Sequence, residues 1–327
     1  SKMTVEVRVT SATAERIEGD ITVCNQLGEP LAVFTGFTVE SLNTSSRMSP
    51  ERIDKGLYDV HWVEKPDVAM GEPRASDGAA QSWLVLADTG GVGTAVGDQL
   101  RTRGHRVRTV THEPVASVTE VDDGYLVDLR NAEQLQQLVT THLDRDDDLT
   151  GVIDCWPLDI VHEPDGAEAS ELTYHTGVFT IMRLVKALAR LDTVKPRLYL
   201  VTADAQPAPG TASCAVDQAA IWGLGRVIGH HEFADRWGGL IDVSDTGDRA
   251  ETATRICDYV LAEDAEDQIA IRGTTTFVPR IRHSTGLTKA FPTTLTPDGT
   301  YVVTGGAGAL GRTVATYLAE RGARHIV

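Results

Sequence analysis

Cysteines and long apolar runs are scarce in this 327-residue chain, and both scarcities narrow the classes of protein to which it can belong. The four cysteines lie far apart with no Cys-x-x-Cys spacing, which predicts reduced thiols rather than a disulfide framework or a zinc site. No apolar run approaches the roughly 20 residues that cross a bilayer. The polar, alternating first residues do not resemble a signal peptide. We therefore expect a soluble, cytoplasmic protein with no membrane partner.

Basic residues are fewer than acidic ones: the chain has 30 Lys and Arg and 47 Asp and Glu, which gives a net charge of −17. An acidic surface argues against nucleic acid or an anionic membrane as a general partner, but it leaves room for a local phosphate site. His230, His231 and Glu232 are the most metal-like group. Adjacent side chains on a helix point in different directions, so we predict no metal site.

Two kinds of periodicity divide the chain. In residues 4–42 apolar and polar residues alternate, which predicts a three-stranded antiparallel meander with one apolar face that needs a partner. From residue 82 onward strands alternate with helical segments, which predicts a mostly parallel sheet covered on both faces. We therefore predict an α/β, Rossmann-like fold preceded by a short antiparallel β segment. The predicted helices span residues 93–103, 131–143, 171–191, 216–232 and 250–262.

The residues with the most specific chemical meaning stand at 301–311, which read YVVTGGAGALG. A short apolar strand enters a glycine turn, and Gly306-x-Gly308-x-x-Gly311 opens a helix, as in dinucleotide-binding folds. Glycines let the backbone approach a pyrophosphate, and the helix N-terminus attracts the anion. The alternative is a purely structural turn. The predicted cofactor-binding residues are Thr304, Gly305, Gly306, Gly308, Ala309 and Leu310.

An internal echo of this unit lies upstream, because residues 83–104 repeat the order of residues 301–322: strand, Thr-Gly-Gly-x-Gly, helix, glycine. The upstream loop has the spacing Gly91-x-Gly93-x₃-Gly97. No acidic residue follows at the end of the next strand, residues 109–112, to hold a ribose hydroxyl. We therefore predict that the first loop is a structural turn without a ligand.

These residues resemble a known family. Residues 301–327 (YVVTGGAGALGRTVATYLAERGARHIV) are similar to the start of the catalytic half of a ketoreductase, itself related to short-chain dehydrogenases, from a type I polyketide synthase. Residues 220–243 (AIWGLGRVIGHHEFADRWGGLIDV) resemble the structural half that precedes it. Residues 4–42 resemble, less specifically, the closing strands of a dehydratase or a related hot-dog domain.

The resemblance implies a division of labour. The structural half would brace the catalytic half without binding a cofactor. The catalytic half would bind NADPH and reduce a β-ketoacyl chain, carried on the phosphopantetheine of an acyl carrier protein, to a β-hydroxyacyl chain. The family's Tyr, Ser, Lys and Asn would lie beyond Val327, so no catalytic residue is assigned in this chain. We expect an inactive fragment of a homodimeric parent, in contact with neighbouring synthase domains; the alternative is a non-catalytic scaffolding module.

A domain organisation follows from the resemblance. The linker before residue 299 has about fifteen residues, too few for an enoylreductase, so we expect none at this position. The predicted segments are 1–43, dehydratase-like strands; 44–56, linker; 57–283, structural subdomain; 284–298, linker; and 299–327, the start of the NADPH-binding subdomain.

Overall fold

The computed structural model describes residues 3–13, 16–40, 56–65, 80–143, 148–160, 175–191, 193–262, 265–284 and 295–327. They divide into two compact units. The first contains Ser1–Asp59 and Arg282–Val327, and the second is Val60–Ile281. Most of the predicted linkers, 44–56 and 284–298, fall outside the described residues.

The N-terminal segment is the predicted antiparallel meander. Its strands are β1 (Thr4–Ala12), β2 (Arg16–Cys24) and β3 (Pro30–Glu40), in the order β1-β2-β3. The turn between β2 and β3 forms around Asn25, whose Oδ1 accepts hydrogen bonds from Leu27 N and Glu29 N at 2.9 and 3.0 Å.

No second layer covers the apolar face of this meander within the described residues, in keeping with the expectation that this face needs a partner. Val7, Phe34 and Phe37, on the face that they share with Ile21, are 60, 52 and 49 % exposed. Three strands form a single layer, and a single layer has no interior in which to bury its apolar face.

A ten-stranded sheet dominates the second unit. Its strands stand in the order β4-β13-β12-β11-β10-β9-β5-β6-β8-β7. The pairs from β8 to β12 are parallel, whereas β12–β13 and β7–β8 are antiparallel. The strands are β4 (Tyr58–Lys65), β5 (Ser82–Leu86), β6 (Arg106–His112), β7 (Thr119–Val121), β8 (Gly124–Val127), β9 (Leu149–Asp154), β10 (Arg197–Ala203), β11 (Trp237–Val243), β12 (Gln268–Arg272) and β13 (Thr275–His283).

Helices cover both faces of this sheet, which confirms the predicted α/β, Rossmann-like fold. They are α1 (Val92–Thr102), α2 (Ala132–Gln137), α3 (Val178–Leu188), α4 (Val216–Val227) and α5 (Arg249–Leu261). Leu100 of α1 and Ile256 of α5 pack in one core, on strand residues such as Val85. Leu184 of α3 and Trp222 of α4 pack in the other core, because successive strand residues point to opposite faces.

Three predicted helices are shorter in the structure. The helix predicted over 131–143 ends at Gln137 and continues as a π-helical turn, Leu138–Leu143. Likewise, the helix predicted over 216–232 becomes a π-helical turn at Ile228–Glu232, where a Cβ on Gly229 would lie 2.6 Å from Trp237 Nε1. Of the helix predicted over 171–191, residues 171–174 lie outside the described part, and α3 spans only Val178–Leu188. None of the helices in the described ranges has the length and apolar character needed to span a bilayer.

The tight packing of β9 on β5 gives a stability prediction. A Cβ on Gly151 would overlap the Trp83 ring, so we expect Gly151→Ala to lower the free energy of unfolding by about 1–3 kcal/mol. As a matched control, a Cβ on Gly223 in α4 would meet no atom outside its own helix turn within 4 Å among the described residues, so Gly223→Ala should stabilise by about 0.5–1 kcal/mol.

Urea unfolding followed by tryptophan fluorescence measures both changes in the second unit, because all five tryptophans lie within Val60–Ile281. A Gly151→Ala protein as stable as the parent would contradict this packing. The tryptophans are Trp62, Trp83, Trp156, Trp222 and Trp237.

Candidate dinucleotide-binding site

The C-terminal glycine loop connects a strand to a helix, as predicted. Strand β14 (Thr300–Tyr301) enters the loop, helix α6 (Ala309–Glu320) leaves it, and β15 (His325–Ile326) returns parallel to β14. Backbone bonds extend this pairing, since Val303 N donates to Val327 O at 2.7 Å. The six predicted cofactor-binding residues form one continuous turn and the first residues of α6.

Two positions of this loop require glycine, one for its backbone conformation and the other for a close backbone contact. Gly305 has a φ of +72°, in the left-handed region that favours glycine. A Cβ on Gly311 would lie 2.5 Å from Gly306 Cα, so only glycine lets α6 approach the loop this closely. Close helix–loop contact is the role of the last glycine in a dinucleotide-binding turn.

The N-terminus of α6 is open to an anion. No side chain of the described residues caps it, and its first turn contains no acidic residue. Gly306 N and Gly308 N already donate to Val303 O and Gly305 O, at 3.1 and 2.9 Å. Arg312 N donates to Gly308 O at 3.0 Å, whereas the backbone amides of Ala309, Leu310 and Gly311, in the first turn of α6, have no acceptor inside the helix. Together with the helix dipole they fit a phosphate or pyrophosphate.

The first glycine loop, in the second unit, is closed by a carboxylate. Asp88 Oδ1 accepts a hydrogen bond from Gly93 N at 2.6 Å, and Asp88 Oδ2 accepts one from Val92 N at 3.2 Å. These are the first amides of α1, the groups that would otherwise meet a phosphate. Asp88 is buried, so its negative charge disfavours an anion there and supports the prediction of a structural turn.

The glycine that brings α1 close to the sheet is Gly93 rather than Gly97. A Cβ on Gly93 would lie 2.7 Å from Ala87 Cα, whereas one on Gly97 would have its nearest neighbour at 3.4 Å. Gly97 therefore plays no part in the close approach of helix and strand, although it belongs to the Gly91-x-Gly93-x₃-Gly97 spacing. Gly91, with a φ of +89°, makes the turn, and Gly93 makes the close approach.

A second carboxylate, Asp159, closes the same loop from the other side. Thr89 N donates to Asp159 Oδ1 and Oδ2 at 2.8 and 3.1 Å, and Thr89 Oγ1 donates at 2.6 Å. His112 Nε2 lies 2.8 Å from Asp159 Oδ2. Burial raises the pKa of Asp159, but hydrogen bonds from His112 and Thr89 outweigh it and leave the pKa below its usual value.

A third polar group at this edge is a charged network around Asp242, at the end of β11. Arg272 Nη2 lies 2.6 Å from Asp242 Oδ2, and Thr202 Oγ1 donates to Asp242 Oδ1 at 2.7 Å. Ala205 N also donates to Oδ1, at 2.8 Å. Burial raises the pKa of Asp242 despite these partners. The network fixes the loop after β10.

The roles of Asp88, Asp159 and Asp242 were not predicted from the sequence. Asp88 stands directly before the Thr-Gly-Gly turn, and this position is a local sequence signal for its role. Asp159 is 70 residues from Thr89, and no local pattern connects them. Within the described residues, no group of three or more His, Cys, Asp or Glu side chains could hold a metal.

Comparison with known families agrees with this geometry. The family described as polyketide synthase extender module SpnB, Rossmann fold domain, matches residues 60–281, which is more than half of the chain. This chain belongs to that polyketide synthase family. The family described as KR domain matches residues 299–327, and the C-terminal glycine loop lies within this match.

Individual relatives agree. Polyketide synthase GfsB of Streptomyces halstedii is 32 % identical over 296 residues, covering 84 % of this chain and 5 % of that protein. Erythronolide synthase EryA3 of Saccharopolyspora erythraea is 36 % identical over 51 % of this chain and 5 % of its own length. The chain thus spans about one twentieth of these relatives.

Solved structures also match. The A-type ketoreductases of a modular polyketide synthase are 26 % identical with a TM-score of 0.56, covering 84 % of this chain and 53 % of theirs. An A1-type ketoreductase is 28 % identical with a TM-score of 0.54, covering 84 and 52 %. The resemblance to a polyketide synthase ketoreductase region is confirmed, whereas the dehydratase-like origin of residues 4–42 stays a prediction.

Asp154, at the end of β9, generates a pH prediction. It is fully buried, its Oδ2 has no hydrogen-bond partner among the described residues, and burial raises its pKa to about 7. The pKa of an aspartate in the unfolded chain is near 4, so between about pH 4 and 7 Asp154 is protonated in the folded state and ionised in the unfolded state. The free energy of unfolding therefore falls as the pH rises through this range. Asp154→Asn removes this ionisation.

We expect Asp154→Asn to unfold within about 0.5 kcal/mol of the parent at pH 4 and to be more stable by about 2–4 kcal/mol at pH 8. Urea unfolding at the two pH values measures the difference. An equal effect of the substitution at both values would contradict a buried, ionising Asp154.

Proposed function

We propose that this chain is part of a ketoreductase that uses NADPH to reduce a β-ketoacyl chain, tethered to an acyl carrier protein through phosphopantetheine, to a β-hydroxyacyl chain. The observation that carries the proposal is the uncapped N-terminus of α6, reached through a glycine loop whose last glycine cannot carry a side chain. Membership of a polyketide synthase family supports the substrate class.

The residues present fit the phosphate end of a nicotinamide dinucleotide. A Cβ on Gly305 would meet no described atom within 4 Å, so a ligand has room at the turn, and the amides at a helix N-terminus such as that of α6 attract a phosphate. NADPH, when bound, supplies the hydride. The part played by this chain is to hold the pyrophosphate, and Leu310, whose side chain is 83 % exposed, lies beside that position.

The choice of NADPH over NADH rests on the resemblance alone, and so do the carrier protein, the homodimeric parent and the dehydratase-like strands. On the basis of the resemblance, we also propose that the catalytic Tyr, Ser, Lys and Asn are not among the residues of this chain. We therefore propose that this polypeptide has no reductase activity by itself. Turnover of a β-ketoacyl thioester mimic by the isolated 327-residue protein would contradict that proposal.

A second candidate function, scaffolding, is favoured by one specific surface, which we call the α3/α4 face. On α4 the exposed residues Val216, Ala220, Gly223 and Val227 recur at helical spacing and are all apolar. Helix α3 adds Phe179 and Met182, which are 46 and 39 % exposed. Exposed apolar faces of this kind mark interaction sites, and the catalytic half of the ketoreductase is the proposed partner.

The test of the cofactor proposal introduces a carboxylate at the helix N-terminus. Ala309→Glu places a negative charge where the pyrophosphate would bind, so we expect NADPH affinity to fall at least tenfold, equivalent to about 1.4 kcal/mol. Ala319→Glu is the matched control, because it adds the same charge at the opposite end of α6. Calorimetry or NADPH fluorescence measures both.

This experiment uses the chain and a protein extended C-terminally by about 200 residues, roughly one domain. NADPH binding by the extended protein, weakened by Ala309→Glu and not by Ala319→Glu, supports the ketoreductase. Equal weakening by the two substitutions would remove α6 from the site. Absence of binding in both proteins would favour scaffolding.

The scaffolding role has its own variant. Val216→Asp places a charge on the α3/α4 face at the start of a helix, where an acidic residue does not destabilise the helix itself. Val121→Asp, on β7, is the control, because Val121 is also exposed and apolar. If the catalytic half covers the face, Val216→Asp should lower the melting temperature of the extended protein by several degrees more than that of the 327-residue chain. Val121→Asp should change the melting temperatures of the two proteins equally. If Val216→Asp also changed the two melting temperatures equally, the α3/α4 face would not be covered by the catalytic half, and the scaffolding role would be contradicted.

A further inference from the structure

The first Rossmann unit contains a crevice in the position where doubly wound folds bind dinucleotides. Such folds bind ligands at the carboxyl ends of their strands, at the point where the strand order reverses. In this sheet β5 pairs with β6 on one side and with β9 on the other, all parallel. The crevice between β5 and β9 is therefore the switch point of the second unit.

Hydrogen bonds cross this crevice. Asp159, in the turn Trp156–Asp159 after β9, accepts three hydrogen bonds from the backbone and hydroxyl of Thr89, after β5. The same carboxylate contacts His112 at the end of β6. One side chain thus connects the ends of three adjacent strands. Asp159 is 89 % buried, since its side chain has 11 % relative exposure.

The contacts of the Asp159 carboxylate are those of a bound anion. A backbone amide, a hydroxyl and an imidazole surround its two oxygens, which are the donor types that hold a phosphate. The open cleft beside it is lined by the donors Arg130, His175 and Thr176 and also by the carboxylates of Glu113 and Asp128. Arg130 lines the same cleft as Asp159 and has no ion pair among the described residues, so this cleft contains one cation available to an anion.

We propose that Asp159 is an internal lock, an intramolecular anion that occupies the position between Thr89 and His112 at the switch point and keeps that position closed to phosphate-bearing ligands, beside the helix amides that Asp88 caps. Removal of the carboxylate opens a site for inorganic phosphate between Thr89, His112 and Arg130. The proposal concerns the second unit and is independent of the NADPH site on α6. A purely structural hydrogen bond would give the same loss of stability on mutation but no gain of phosphate binding.

The test compares Asp159→Ala with Asp235→Ala. Asp235 is an exposed aspartate that pairs with Lys195 at 2.7 Å. It does not line the crevice, so its substitution removes the same charge without touching the proposed site. Both variants also carry Ala309→Glu, which suppresses phosphate binding at the second glycine loop. Melting temperatures are measured in sodium phosphate and in sodium chloride at equal pH and ionic strength, and the Thr89 amide is followed by NMR during a phosphate titration.

In chloride, Asp159→Ala should melt below Asp235→Ala. Phosphate at about ten times its dissociation constant should raise the melting temperature of Asp159→Ala by about 2–4 °C and shift its Thr89 amide resonance saturably. Asp235→Ala should show neither effect. Equal phosphate responses in the two variants, or a Thr89 amide that does not move, would overturn the lock.

If Asp159→Ala does not fold, Asp159→Asn decides the question, because it keeps the shape of the side chain and removes the charge. The lock predicts that phosphate shifts the Thr89 resonance in Asp159→Asn. A resonance that is unchanged by phosphate in this folded variant would equally overturn the lock.

Discussion

Backbone amides at the carboxyl ends of parallel strands need hydrogen-bond acceptors, and this requirement separates the two glycine loops of the chain. In the second unit, internal carboxylates meet it: Asp88 accepts from Val92 and Gly93, Asp159 from Thr89, and Asp242 from Ala205. No described side chain does so at α6. An anion from outside the chain is therefore the acceptor that suits the C-terminal loop, whereas the other loop already has one.

Burying a carboxylate lowers the free energy of unfolding unless hydrogen bonds or an opposite charge compensate it. The second unit contains one compensated and one poorly compensated buried carboxylate. Asp242 is compensated by Arg272, Thr202 and two backbone amides. Asp154 accepts one hydrogen bond, from Trp156 N, and its second oxygen has no partner among the described residues. The first arrangement organises the loop after β10, which Trp222 joins through Thr202 at 2.9 Å. The second reduces stability at neutral pH, because the ionised form is poorly compensated.

Periodicity predicted the meander, the parallel sheet and the layers of helices, because each depends on local alternation of apolar residues. It failed where tertiary contacts decide the conformation. The helix predicted through Glu232 becomes a π-helical turn where Gly229 packs on Trp237. The hairpin β7–β8 was missed because its strands have three and four residues. The closure of the first loop depends on Asp159, whose distance along the chain leaves no sequence signature.

The two glycine loops show why a fingerprint alone does not define a nucleotide site. Both read Thr-Gly-Gly-x-Gly, yet α1 begins at the fourth residue of this motif, Val92, whereas α6 begins one residue after its end, at Ala309. The preceding residue accounts for the difference, being Asp88 in one loop and Val303 in the other. The Asp88 carboxylate binds the amides of Val92 and Gly93 and so stabilises an early helix start. Valine has no acceptor, so α6 starts later and its N-terminus stays open. One residue before the motif thus separates a structural turn from a candidate phosphate site.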